Sequence, residues 1–115
     1  MFVLAAVLIV WPQAAPATLI SYDEAVRCAG LTQAASELEG GESGEGRALY
    51  DAALYWSLAA GQAAQASGRD PVASDADQTR ARILAVRQLS ARREPGVAEA
   101  RAALQRCRRR TPDLG

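Results

Sequence analysis

The chain contains no histidine and no lysine, and its only methionine is Met1. Without histidine the commonest general base and the commonest protein metal ligand are gone. A Ser-His-Asp triad cannot be assembled from this sequence. With methionine confined to the first position, the usual haem axial ligands are missing as well. The two cysteines, Cys28 and Cys107, form neither a CxxC redox pair nor a CxxCH haem-attachment motif. Aromatic residues make up 5% of the chain, and valine, isoleucine and threonine are sparse. A sheet is therefore poorly supported. No apolar run approaches the roughly twenty residues needed to span a bilayer.

What is present is arginine, carboxylate and alanine. Thirteen basic residues, all arginine, balance thirteen acidic ones. A chain without net charge has no global field to draw it to nucleic acid or to an anionic membrane. Half the residues are apolar. Alanine supplies much of that share and favours helix. A length of 115 residues fits one domain.

The apolar run covers residues 2–11, and Pro12 ends it. Ala15-Pro16-Ala17 places small residues where a signal peptidase reads. This pattern predicts a secretory signal over residues 1–17, although only the amino terminus, and no basic side chain, precedes the apolar run. The mature chain, 18–115, is then a single helical domain in the periplasm or outside the cell. It has no segment for stable membrane insertion.

Four helices are predicted over about 22–39, 46–67, 71–92 and 95–109. Ser21 followed by Glu24 is a capping box. Cys28, Leu31, Ala35 and Leu38 form the first apolar stripe, and Gly40-Gly41 stops it. Leu49, Ala53, Trp56, Ala60 and Ala63 form the second. Leu54 and Leu58 widen it, so the second helix is expected to be the most buried. Asp70-Pro71 starts the third helix with a capping acid and a proline that needs no N–H partner. Its predicted face is Val72, Ala76, Thr79, Ile83 and Val86, extended by Leu84 and Leu89. The fourth carries Val97, Ala100, Leu104 and Cys107.

Short connections favour an all-α, up-down-up-down four-helix bundle. In that topology the first helix begins where the fourth ends. Cys28 and Cys107 then face each other, and in an oxidising compartment they are expected to pair. One disulfide would join the first and last helices. The same topology sets Arg92 and Arg93 beside the acidic connection 40–46, and Arg106 to Arg110 beside Asp23 and Glu24.

Candidate sites are few. GESGEGRA, from Gly41, echoes a phosphate loop. Arg47 and Ala48 replace its Lys and hydroxyl, and no strand precedes it. Asp75, Asp77 and Thr79 lack the glycine and distal glutamate of a calcium loop. The carboxylate pairs Asp23/Glu24 and Glu37/Glu39 do not face one another along a helix. Tyr50, Tyr55 and Trp56 are the candidate pocket for an apolar ligand. Arg106, Arg108, Arg109 and Arg110 are the candidate patch for an anionic partner. No catalytic residue, cofactor or metal is expected. The expectation is an exported, non-catalytic binding protein whose partner is a protein or envelope component. An apolar-ligand carrier, or an enzyme that uses carboxylates on the cell wall, is the alternative.

Overall fold

The computed structural model describes residues 20–113. The predicted signal segment, residues 1–17, lies outside them, as do the first two residues of the predicted mature chain. Four helices account for the fold: α1 (Tyr22–Glu39), α2 (Gly44–Ala66), α3 (Pro71–Leu89) and α4 (Gly96–Arg110). Among the described residues there is no strand, and no helix is long and apolar enough to cross a membrane.

The local signals act as their chemistry requires. Ser21 Oγ accepts from the Glu24 N–H at 3.2 Å, and Asp70 Oδ1 accepts from the Val72 N–H at 3.0 Å. Each satisfies a backbone donor that the first helical turn leaves without a partner. Gly40 ends α1 with φ of 85°, in the region that favours glycine. α2 starts before its predicted position because Ser43 caps it, accepting from the Gly46 N–H at 2.9 Å. α3 stops at Leu89, short of the predicted residue 92, in a turn running to Pro95. α4 has no side-chain cap from Pro95. The Glu94 carboxylate instead accepts from the Ala98 N–H at 3.1 Å.

The most buried helix is α1, not α2. From Tyr22 to Ala35 it places ten residues in the interior. Both α2 and α3 pack extensively on it, and far less on each other. A helix with neighbours on several sides cannot keep one apolar stripe, which explains the buried Ala29 and Ala34 between the predicted positions. Thr32, fully buried, donates to the Cys28 carbonyl at 2.6 Å and so needs no partner outside the helix.

Three predicted stripes change at their edges. Leu38 is 52% exposed, and Leu54 and Leu58 are 47% and 68% exposed. The predicted face of α3 is inward only at its C-terminal end, where Val86 and Leu89 pack against the core. Val72 is 75% and Ile83 41% exposed, while Ser74 and Ala85 are buried. The cause is backbone proximity. A Cβ on Gly30 of α1 would meet the Ala81 backbone carbon at 2.6 Å. At so close a crossing only small side chains fit, so α3 turns Ser74, Ala81 and Ala85 inward. On α4 all four predicted residues, Val97, Ala100, Leu104 and Cys107, are buried.

Candidate functional site

The disulfide between Cys28 and Cys107 links α1 to α4, with Cα atoms 5.5 Å apart. Both residues sit in the core at 4% exposure. Around the bridge, α4 is held by polar contacts as well. Trp56 on α2 is fully buried, and its Nε1–H donates to Thr111 Oγ1 at 2.9 Å. Thr111 in turn donates to the Cys107 carbonyl at 2.9 Å.

The arginine cluster divides by function. Arg110 pairs with Glu24, and its guanidinium lies 5.9 Å from the Trp56 ring centre. Arg108 pairs with Glu45 in the first turn of α2, and not with the start of α1 as the simple bundle had it. Arg106 and Arg109 are exposed. Arg92 and Arg93 were expected to answer the acidic connection; they are exposed, and Arg108 takes that role at Glu45. Glu37 is paired with Arg82 of α3 at 3.0 Å. These pairs are partly in water and each contributes little stability, about 0–1 kcal/mol.

The aromatic candidates separate. Trp56 is core, with Tyr55 edge-on against it at 5.2 Å between ring centres. Tyr50 is 57% exposed. None of the three lines the surface depression that carries Leu54 and Leu58. That depression, a groove of about 680 Å³, runs between α2 and α3. Leu54, Leu58 and Gly61 form its α2 wall, and Pro71, Ser74 and Asp75 its α3 wall. Arg69 closes the end at the α2–α3 connection. Sequence periodicity missed this groove because it read Leu54 and Leu58 as core.

Behind Arg69 lies a polar cluster. The Tyr22 hydroxyl donates to Asp77 Oδ2 at 2.7 Å, and the Arg69 guanidinium stacks on the Tyr22 ring at 4.0 Å. Burial, then the hydrogen bond to Asp77, pushes the Tyr22 hydroxyl above the ordinary tyrosine range. The bond received from Tyr22, aided by Arg80, holds the Asp77 carboxyl below the ordinary aspartate range. Asp77 is thereby committed to Tyr22 and Arg80. Among the described residues no three His, Cys, Asp or Glu side chains converge on a metal position.

The geometry is a fastened helical scaffold with an open groove whose α2 wall is apolar and whose α3 wall is largely polar. No known family model matches the chain, and no curated protein or solved structure matches it either.

Proposed function

We propose that this protein is a non-catalytic binding protein of an oxidising, extracytoplasmic compartment, whose α2–α3 groove receives an apolar helical segment of another protein. The carrying observation is the pair Leu54 and Leu58, one helical turn apart on the groove wall and 47% and 68% exposed. Large apolar side chains left in water along a concave face favour a partner that covers them. Because α2 and α3 pack mainly on α1, the space between them has the character of an unfilled helix position. An amphipathic helix enters such a groove through apolar residues at three- and four-residue spacing. Arg69 at its end and Asp75 on its α3 wall, of opposite charge, supply polar contacts to the same groove.

Export rests on the predicted signal segment, and the Cys28–Cys107 disulfide supports it, since such bonds persist mainly outside the reducing cytosol. The periplasm is the specific compartment we favour.

A small apolar ligand in the same groove is the second reading, because about 680 Å³ lies within the range of small-molecule sites. The outward exposure of Leu54 and Leu58 favours the protein partner, since a swallowed ligand would need those side chains closed over it.

The test is L54S/L58S in the full chain, with partners captured by photo-crosslinking from a probe at Gly61. A specific crosslinked protein, lost in L54S/L58S while the melting temperature holds, supports the reading. Equal crosslinking in both chains removes it. Saturable binding of a fluorescent fatty acid without any protein adduct moves the assignment to the ligand carrier.

A further inference from the structure

A second depression lies on another face, over the disulfide. It measures about 290 Å³, with Cys28 and Cys107 beneath it and Arg27, Arg106, Arg110 and Glu24 around it. Three arginines and one glutamate line it, which leaves two positive charges in excess. Glu24 is committed to Arg110. Arg108, Arg109 and Arg110 form the last turn of α4 and complement the negative end of its dipole. Arg27 and Arg106 lie outside that turn. Neither makes a salt bridge or a side-chain hydrogen bond among the described residues.

Two unpaired guanidiniums on different helices are held at one pocket because the disulfide fixes α1 to α4 one residue from each of them. Cys28 follows Arg27, and Cys107 follows Arg106. The bridge therefore sets the spacing of the two charges. A guanidinium offers a planar fork of N–H donors, and two forks can divide the oxygens of one tetrahedral anion between them. The excess of two charges matches a dianion better than a monocarboxylate.

We propose that Arg27 and Arg106, with Arg110 at the rim, form a binding site for a phosphomonoester dianion. The site draws on both ends of the chain and exists only while the disulfide holds them together. It is separate from the α2–α3 groove and does not depend on what that groove binds.

The test is an NMR titration of the oxidised full chain with inorganic phosphate at low ionic strength, following the Nε–H signals of Arg27 and Arg106. The expected result is saturable movement of both signals. Affinity should fall by about tenfold or more in R27Q/R106Q and stay unchanged in R109Q. R27Q and R106Q singly serve if the double variant does not fold. Absence of saturation overturns the proposal. So does an equal loss in R109Q, which would mean a diffuse positive field. Phosphatidylcholine vesicles with and without a lipid phosphomonoester separate the sources. Capture by the phosphomonoester vesicles, lost in R27Q/R106Q, assigns the anion to a lipid headgroup. Saturable phosphate binding without vesicle capture assigns it to a soluble phosphomonoester, and the site stands in either case.

Discussion

Trp56 and Thr111 are separated by most of the helical core in sequence, yet the indole N–H donates to the threonine hydroxyl at 2.9 Å. Trp56 is completely buried, so Thr111 supplies the acceptor its N–H needs. T111V keeps the shape and removes the acceptor. A buried donor left without a partner costs about 1–3 kcal/mol. For a protein of this size each kcal/mol lowers the melting temperature by several degrees, roughly 4–8 °C. Thermal unfolding of T111V should show that loss, and T111S should recover most of it. An unchanged melting temperature in T111V would remove Thr111 as the partner of Trp56.

Two helical glycines should respond to alanine with opposite signs. Alanine normally stabilises a helix interior by about 1 kcal/mol over glycine. At Gly61 of α2 an added Cβ meets nothing within 4 Å, so G61A should gain stability. At Gly30 of α1 the Cβ would lie 2.6 Å from the Ala81 backbone carbon. The backbone cannot give way as a side-chain tip can, and overpacking costs about 1–3 kcal/mol. G30A should lose stability. Urea midpoints for the two variants decide it, and shifts in the same direction would contradict the close α1–α3 approach.

The same crossing marks the limit of what was legible in the sequence. The caps at Ser21 and Asp70, the stop at Gly40 and the α4 stripe follow from neighbours a few residues apart, and Leu104 behaves as read. The disulfide was legible because topology places Cys28 and Cys107 together once four helices are granted. The inward face of α3 was legible only at Val86 and Leu89. Its periodic large residues, Val72 and Ile83, point outward because Gly30 brings the backbones too close for them. Hydrophobic period ranks residues by apolarity, whereas a tight crossing selects by size. The groove was hidden for the related reason that Leu54 and Leu58 were credited to the core. Arg27 carried no sequence signal at all, since its significance depends on the disulfide beside it.

Removing the bridge should act on α4 first. The cysteines are 79 residues apart in sequence, and closing so long a loop is worth roughly 4–5 kcal/mol in the chain-entropy model. Packing of α4 on α1 and α3 is thin beside that of α1 with α2 and α3. In C28A/C107A, amide hydrogen exchange should accelerate over Gly96–Arg110 before it does over Tyr22–Glu39. A uniform loss of protection across all four helices would show that the bridge stabilises the whole core and is not a local clamp.

The Tyr22–Asp77 bond sets a pH dependence at both limits. Asp77 has a lowered pKa in the folded chain. The unfolded chain therefore takes up the proton first, and the stability Asp77 contributes is lost as pH falls through its folded value. Tyr22 is shifted upward. Its unfolded form loses the phenolic proton first, so stability falls as pH rises past the ordinary tyrosine range. D77N keeps an acceptor for the Tyr22 hydroxyl but does not titrate. The gap in melting temperature between the parent chain and D77N should narrow from about pH 6 to about pH 3, a window that spans the ordinary aspartate value. Y22F should flatten the alkaline decline between about pH 9 and pH 11. Parallel profiles for D77N and the parent chain would mean that the acid limb arises at other carboxylates.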